Sequence, residues 1–577
     1  MKKFKRIVQS IGLALLLTYC NGSAPTQKPT DSTLALASIL QETAPTNTQT
    51  PATTFDIANT KANLRSILEN LSDGSFSFDD SIGITSFDGV KIAANIFVPQ
   101  TDQTEQKFPA VIFINSWALN EYEYLVPAAK LAQKGYIVLS YSTRGFGSSE
   151  GQINVAGPKD NADLGKVLDF LEANYPVDVK NIGLAGISYG SGNSLIGLAL
   201  QDRVKTAAAM SGWASLTDAL HGNGSTRSVW GSILLVSGYF TGTMDPIIAQ
   251  QFSRLLQHKD IDEVYAWADI RSPQTYLEQI NRAGKSVYIS NNLSDELFQP
   301  NSIIEFFERL TIPKKLDLNQ GIHATAEIPG IFGLENYVWN NVYQWFDYHL
   351  KGIDNGIMDS PQVSIEKKLD TGRANYQNWP AKNISYQNLY THPRSFFRKA
   401  ALKTSPYKSQ TYNKIYSGID TLATTGIPIL SPILEGHTDA PVYCYPSLIS
   451  SVNGIAYKSE PYQQGLKIRG IPKLGLGISL SKSKGMVNAY LYDVSKSGLG
   501  KLITHGTASF YGKEKNSEFY EEFGLVAVAY DLPAGHRLAL IIDTIEPQYA
   551  VPTLLPYSIK FHYSQTKPSK LQIPVED

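Results

Sequence analysis

The chain has 577 residues, of which 42% are hydrophobic and 18% charged, and its formal net charge is −1. This length exceeds what one hydrophobic core accommodates, so two or three domains are expected. The balanced charge argues against a nucleic-acid-binding surface. Motifs for nucleotide, zinc or redox chemistry do not occur in the sequence, so no cofactor and no metal is predicted.

The N-terminus is typical of an exported protein. Four basic residues between positions 2 and 6 precede an apolar run, residues 7–17, that is too short to span a bilayer. Cys20 follows the sequence Leu-Thr-Tyr, which resembles the lipid-attachment site of bacterial lipoproteins. We therefore expect residues 1–20 to be a lipoprotein-type signal peptide and Cys20 to carry a lipid that anchors the protein to a membrane. Cleavage near residues 22–24 is the alternative, and it would yield a periplasmic or secreted protein.

The remainder of the chain divides into a linker and two domains. Residues 21–75, which begin rich in Thr, Pro, Gln and Ser, are predicted to be a tether and linker. Residues 76–359 open with a β-hairpin pattern and continue with alternating strand and helix patterns, which indicate a parallel sheet covered on both faces. This alternation stops at about residues 213–285, where we expect a mostly helical cap. Short β-type runs over residues 360–577 predict an all-β sandwich.

The sequence Gly186-Ile187-Ser188-Tyr189-Gly190 stands between an apolar strand pattern, residues 181–185, and a helix pattern, residues 191–200. Strand, tight turn and helix form the context in which a Gly-x-Ser-x-Gly motif exposes a serine hydroxyl at the top of a sheet. We therefore predict that Ser188 is a nucleophile. A second match, residues 147–151, leads into no helix pattern and is interpreted as a loop that borders the site.

A serine nucleophile needs a base and a group that orients the base. On this fold they follow in the order Ser, Asp or Glu, His, each just after a strand. Asp295 follows the strand pattern at residues 284–290, and His323 follows the pattern at residues 313–318. Asp295 and His323 are therefore the predicted acid and base, with Glu296 and Asp317 as competing acids.

The oxyanion of an acyl-transfer intermediate requires hydrogen-bond donors. The backbone N–H of Tyr189, the residue after the nucleophile, is the first predicted donor. The second is expected from residues 115–119, where Trp117 offers its indole N–H or its backbone N–H. A tryptophan that only packs over the site is the alternative interpretation of Trp117.

Several segments together resemble a known family. They are the loops of Asp295 and His323 and the sequences at residues 141–151, 186–192, 345–356 and 535–538. In this order, over residues 80–570, they resemble the X-prolyl dipeptidyl-peptidase and cocaine-esterase type of α/β-hydrolase. The resemblance implies an α/β-hydrolase core with an inserted helical cap, followed by a jelly-roll β-sandwich. Two positions depart from the family pattern: Ser142 stands where an aspartate is usual, and Trp117 where a tyrosine usually serves the oxyanion.

The resulting hypothesis is a serine hydrolase that cleaves an ester or amide bond through an acyl-enzyme. A small-molecule ester and a short peptide with an Xaa-Pro start both remain open as substrates, with a slight preference for the ester. The peptide requires an anion for its α-ammonium, and the cap offers five candidates: Asp218, Asp245, Asp260, Glu263 and Asp269. A tethered surface-binding protein with a vestigial site is the alternative function. The sequence leaves the oligomeric state open.

Overall fold

The computed structural model describes residues 74–103 and 105–577. The predicted signal peptide, Cys20 and nearly all of the predicted linker lie outside these residues. The strands of the N-terminal domain are β1 (Phe76–Thr85), β2 (Lys91–Pro99), β3 (Phe108–Ile114), β4 (Ile137–Tyr141), β5 (Val177–Ile187), β6 (Val204–Met210), β7 (Ser286–Asn292), β8 (Lys314–Asn319), β9 (Val363–Glu366) and β10 (Arg373–Tyr376). Its helices are α1 (Leu125–Gln133), α2 (Pro158–Asn174), α3 (Tyr189–Leu200), α4 (Leu216–His221), α5 (Ser228–Thr241), α6 (Pro246–Gln257), α7 (Ile261–Asp269), α8 (Leu277–Ile280), α9 (Asn301–Arg309), α10 (Ile328–Ile331) and α11 (Tyr337–Lys351).

The strands of this domain form one twisted sheet in the order β1-β2-β4-β3-β5-β6-β7-β8-β9-β10. Neighbours from β4 to β9 run parallel, whereas β1, β2 and β10 join antiparallel. Apolar clusters cover both faces of the sheet, as the continuous apolar strand sequences require. Because parallel strands end at one edge, the loops after β5, β7 and β8 meet there.

The helical cap is inserted between β6 and β7 and contains α4 to α8, together with short 3-10 turns at Gly222–Gly224 and Pro273–Tyr276. The predicted helical cap is therefore confirmed. The predicted hairpin is also confirmed, since β1 and β2 pair antiparallel around a turn in which the N–H of Gly89 donates to the carbonyl of Ser86.

The C-terminal domain is all-β apart from one helix among residues 384–577. Its elements are β11 (Ile384–His392), β12 (Ala401–Lys403), β13 (Thr411–Tyr416), α12 (Leu430–Thr438), β14 (Tyr443–Cys444), β15 (Ile455–Lys458), β16 (Leu466–Gly470), β17 (Lys473–Leu480), β18 (Gly485–Val494), β19 (Gly500–Phe510), β20 (Phe519–Gly524), β21 (Val528–Leu532), β22 (Arg537–Asp543), β23 (Ser558–Tyr563) and β24 (Lys570–Glu576). A second large apolar cluster fills this domain. The predicted fold class is confirmed: an α/β-hydrolase core with an inserted cap, followed by a β-sandwich.

The strands β9 and β10 lie beyond residue 360, where the sequence patterns placed the start of the sandwich. In the structure β9 pairs parallel with β8, and β10 pairs with β9, so both extend the sheet of the N-terminal domain. The change from one sheet to the other occurs between Tyr376 and Ile384. Two short strands after the last long helix look the same in sequence whichever sheet they join. No helix of residues 74–103 and 105–577 has the length and apolarity that a bilayer crossing demands.

A buried ion pair supports the loop after β4. The Arg144 guanidinium donates two hydrogen bonds to Asp163, from Nε at 2.7 Å and from Nη2 at 2.6 Å, and it also contacts Asp88. The side chains of Arg144 and Asp163 are 2% and 1% exposed. Removal of one partner leaves the other charge buried without compensation.

We expect Arg144→Met to lower the free energy of unfolding of the N-terminal domain by about 3–5 kcal/mol. Lys166→Met is the matched control, because Lys166 pairs with Asp169 on the surface and such pairs contribute less than about 1 kcal/mol. Urea unfolding followed by tryptophan fluorescence is suitable, since all seven tryptophans precede residue 380. Equal losses in both variants would contradict the argument.

Candidate active site

Ser188 occupies the sharp turn between β5 and α3. Its backbone has φ 56° and ψ −114°, a conformation that side-chain-bearing residues rarely adopt, and its N–H donates to the carbonyl of Met210 on β6. A Cβ atom on Gly186 would lie 2.5 Å from the carbonyl carbon of Gly190, and one on Gly190 would overlap the carbonyl oxygen of Ile114. The two glycines are therefore required by the close approach of three backbone segments.

The structure brings Ser188, His323 and Asp295 together. His323 Nε2 lies 2.8 Å from Ser188 Oγ, and His323 Nδ1 lies 2.7 Å from Asp295 Oδ2. Asp295 Oδ1 accepts hydrogen bonds from the backbone N–H groups of Leu297 at 2.8 Å and Phe298 at 2.9 Å. The Asp295 side chain is fully buried, and that of His323 is 13% exposed. This geometry allows the imidazole to accept a proton from the serine hydroxyl while the carboxylate holds its other nitrogen.

The loops that carry Asp295 and His323 are tied to each other. The N–H of Leu293 donates to the carbonyl of Asn319 at 2.8 Å, next to the ends of β7 and β8. The His323 ring also contacts the edges of two aromatic rings, with centroids 5.1 Å from Phe298 and 5.9 Å from Trp230. Fixed loops and aromatic walls leave the imidazole little freedom to leave the position between the serine and the carboxylate.

The competing acids lie elsewhere. Glu296 points away from His323 and accepts hydrogen bonds from Ile429 N and Gln548 Nε2. Asp317 accepts from Tyr288 and Asn341 side chains beneath the sheet edge.

Trp117 stands over the site but points its indole N–H into the cap. Nε1 donates to the carbonyl of Leu234 at 3.0 Å and lies 3.2 Å from Ser237 Oγ, both on α5. The ring packs edge-on against Tyr189 at 5.5 Å and Phe146 at 5.1 Å. Because the indole N–H is already bonded to the cap helix, two of the interpretations of Trp117 remain: donation from its backbone N–H, and packing over the site alone.

A buried network supports the loop that contains Trp117. Ser116 donates to Glu123 from its backbone N–H and its hydroxyl, both at 2.6 Å, and the hydroxyl of Tyr124 accepts from the N–H of Ile187, one residue before the nucleophile. Burial raises the pKa of Glu123 to about 7. The network links the loop that contains Trp117 to the end of β5, directly before Ser188.

Tyr189 is held by a second buried acid. Its hydroxyl donates to Asp160 at 2.8 Å and accepts from the N–H of Ala156 at 3.0 Å. Burial raises the pKa of Asp160 to about 7. The backbone N–H of Tyr189 lies in the first turn of α3, where N–H groups have no carbonyl partner within the helix. No pattern in the sequence indicated either acid, because Asp160 contacts Tyr189, 29 residues away, and Glu123 contacts Ser116 within the irregular loop after β3.

The second Gly-x-Ser-x-Gly match forms a loop without a nucleophile. Ser149 is buried, donates to the carbonyl of Ser142 at 2.7 Å and accepts from the N–H of Ala93 at 2.9 Å. Ser142, where the family usually has an aspartate, bonds to Glu121. These groups support the loop and do not reach Ser188.

A cavity that opens to solvent lies between Ser188 and the cap. Its walls are almost entirely aliphatic and aromatic side chains: Trp117, Val155, Trp213, Leu216, Leu220, Leu234, Leu235, Ile248, Phe252, Leu255, Val264, Trp267 and Phe298. The polar side chains of its lining besides Ser188 are those of Thr217, His221, Gln251, Tyr189 and Tyr265. Burial lowers the pKa of His221 to about 4, so this imidazole is neutral near pH 7.

None of the described Asp or Glu residues lines this cavity. The five cap carboxylates considered for an ammonium group lie elsewhere. Asp218 and Asp269 are exposed, Asp245 caps the start of α6, and Asp260 and Glu263 pair with Arg254 on the surface. No group of three or more His, Cys, Asp or Glu side chains in residues 74–103 and 105–577 is arranged to hold a metal.

Comparisons with known proteins agree with this architecture. The family model described as X-Pro dipeptidyl-peptidase (S15 family) matches residues 88–325, and the X-Pro dipeptidyl-peptidase C-terminal non-catalytic domain matches residues 355–572. A putative Xaa-Pro dipeptidyl-peptidase from Bacillus cereus is 22% identical over 455 residues, which is 72% of each chain.

Solved structures share the fold. A CocE/NonD family hydrolase from Staphylococcus aureus superposes with a TM-score of 0.68 at 15% identity and covers 87% of this chain and 94% of its own. An α-amino acid ester hydrolase gives a TM-score of 0.66 at 15% identity, over 92% of this chain and all of its own. With both domain models matched in order, the chain belongs to the X-Pro dipeptidyl-peptidase (S15) family of serine hydrolases.

Proposed function

We propose that the protein is an esterase that hydrolyses carboxylic esters with an apolar acyl group. The observation that carries this proposal is the apolar cavity that opens onto Ser188. None of the Asp or Glu residues that the structure describes lines this cavity. An apolar chain gains roughly 0.8 kcal/mol for each CH₂ group that it buries in such a cavity.

The proposed reaction is acyl transfer to water. Ser188 Oγ attacks the ester carbonyl while its proton moves to His323 Nε2, and Asp295 stabilises the imidazolium through Nδ1–H. The backbone N–H groups of Tyr189 and Trp117 donate to the oxyanion, and one such donor typically contributes a factor of about 10²–10³ in kcat. His323 then protonates the leaving alkoxide. Water attacks the acyl-enzyme with the same imidazole as base, which releases the acid and restores Ser188.

We expect Ser188→Ala to reduce kcat for a p-nitrophenyl ester by about 10⁴-fold or more, because no other group can form the acyl-enzyme. Covalent labelling by a fluorophosphonate should be lost in the same variant. Ser149→Ala, which alters the other Gly-x-Ser-x-Gly motif, is the matched control and should retain both properties. A folded wild-type protein that neither turns over esters nor labels would instead support the vestigial, surface-binding alternative.

Cleavage after an N-terminal Xaa-Pro pair is the second candidate function. The name of the Bacillus cereus relative and the family description favour it. It requires that the α-ammonium of the peptide be bound beside the site. A charged ammonium in an apolar cavity without a paired anion is strongly disfavoured by desolvation. The cavity therefore supports the ester more than the peptide.

Substrate preference should follow the apolar cavity. For p-nitrophenyl esters from acetate upward, kcat/KM should rise by up to about fourfold for each added CH₂ until the cavity is filled. Ile248→Trp narrows the cavity and should lower kcat/KM for the octanoate by about tenfold, with the acetate within about twofold.

Ile270→Trp introduces the same side chain at an exposed cap position outside the cavity and serves as the control. Turnover of an Xaa-Pro p-nitroanilide at a rate equal to or above that of the best ester would contradict the ester proposal.

We further propose that the protein is exported and anchored through a lipid on Cys20, and that it requires no cofactor. The anchor rests on the sequence of residues 1–20 alone. In a bacterial host that lipidates lipoproteins, Cys20→Ala should abolish incorporation of an alkyne fatty acid and move the protein from the detergent phase to the aqueous phase of a Triton X-114 partition. Cys444→Ala is the control, since that free cysteine is buried in the C-terminal domain. Unchanged partition of Cys20→Ala would refute the anchor.

A further inference from the structure

A segment of the C-terminal domain reaches the active site. We call residues 423–438, which lie between β13 and β14 and include α12, the bridging segment. Two of its side chains, Ile429 and Ile433, pack against the apolar cluster that contains Trp230, Phe298 and Ile322. Trp230 and Phe298 are the two rings in edge contact with His323. The domain that its family model describes as non-catalytic thus packs against the apolar cluster that contains both of these rings.

Glu296 is the point at which these parts meet. It follows the catalytic acid in sequence and is 3% exposed. Its Oε2 accepts from the backbone N–H of Ile429 at 2.8 Å and, at a longer 3.4 Å, from Trp230 Nε1. Its Oε1 accepts from Gln548 Nε2 at 2.6 Å. One carboxylate therefore bonds to the cap, to the bridging segment and to the sandwich.

The network continues into the sandwich through neutral groups. Gln548 Nε2 also donates to Thr425 Oγ1 at 2.9 Å, and that hydroxyl donates to Glu546 Oε1 at 2.9 Å. The charged or titratable groups near Glu296 are Asp295 on its own loop, His323 on the next loop, Glu546 and His505 in the sandwich, Arg227 at the start of α5, and the Lys368–Glu435 pair at the bridging segment. Within residues 74–103 and 105–577, no ion pair forms between Glu296 and any of these groups.

We propose that Glu296 is a positioning residue through which the C-terminal domain becomes part of the active site. Its carboxylate holds Trp230 and the bridging segment against His323, so the imidazole keeps the orientation that serves Ser188 and Asp295. This inference rests on the proposed function of the three catalytic residues. It adds a residue that touches neither substrate nor the reacting atoms.

A carboxylate suits this position better than its neutral isostere. The three groups that face Glu296 are all donors, and an ionised carboxylate is an acceptor at both oxygens. A glutamine would direct an NH₂ group at one of the donors and would remove the negative charge that these donors face. Burial raises the pKa of Glu296 to about 7, so its charge changes in the pH range in which a histidine base titrates.

The test measures the pH dependence of kcat and of fluorophosphonate labelling in wild type and Glu296→Gln. We expect kcat for p-nitrophenyl butyrate to fall by about tenfold or more with KM within about twofold. The acidic limb of both profiles should move to lower pH, because protonation of Glu296, whose pKa burial raises to about 7, contributes to this limb in wild type and is absent from the variant. A purely structural role would lower kcat without moving the limb, and that result would overturn the proposal.

Asp543→Asn is the matched control, since it alters a buried carboxylate of the sandwich whose side-chain partners, Thr421 and Asn488, lie outside the bridging segment. The acidic limb of the pH profile should move less in this control than in Glu296→Gln. Gln548→Met removes one donor and should lower kcat about threefold, and it keeps the proposal testable if Glu296→Gln does not fold. In the double variant the loss should equal that of Glu296→Gln alone, since the two groups act through one bond. If the fold losses in kcat of the two single variants multiply in the double variant, the two residues act independently, and the proposal is contradicted.

The two levels of inference fail in different ways. If wild-type Ser188 does not label, the proposed function itself is wrong. If wild type labels and Glu296→Gln labels at the same rate with the same pH profile, only the role of Glu296 is refuted.

Discussion

The backbone conformation of Ser188 is the constraint on which the rest of the site depends. A residue with a side chain in this conformation costs on the order of 1–3 kcal/mol unless its surroundings impose it. Here the bond from its N–H to Met210 and the contact of Gly190 with the end of β3 impose it. The turn sends the hydroxyl out over the sheet edge and begins α3 at Tyr189, so that the proposed nucleophile and the proposed oxyanion donor are positioned by one local geometry.

The fold and the three predicted catalytic residues could be read from the sequence for a physical reason. Parallel strands end at one edge, so residues that follow successive strands approach each other even when they are far apart in sequence. Asp295 and His323 are 28 residues apart, with one helix, one strand and their connecting loops between them, and His323 Nδ1 lies 2.7 Å from Asp295 Oδ2. The Gly-x-Ser-x-Gly match at residues 147–151 could be distinguished from the match at residues 186–190 by a local feature. No helix follows directly after residues 147–151, whereas α3 begins at Tyr189.

What the sequence could not predict depends on contacts between distant segments. The indole N–H of Trp117 bonds to a helix 117 residues away, and Glu296 bonds to Gln548, which lies 252 residues away. No local pattern marks such pairs. The boundary between the domains was not predicted for a related reason. The sheet that the short strands β9 and β10 join is determined by the pairing of β9 with β8, and not by the composition of the two strands.

The buried acids around the site and the side chains that line the cavity have different roles. Three buried acids, Glu123, Asp160 and Glu296, surround the catalytic residues, yet each is turned toward backbone or side-chain donors of the protein and away from the cavity. Their carboxyl groups therefore organise loops and are not offered to a substrate. The cavity itself presents hydrocarbon, which comes from the cap and from Trp117. Recognition of an ammonium group in this cavity would require an anion from the cap, and the cap side chains that line the cavity are almost all aliphatic and aromatic.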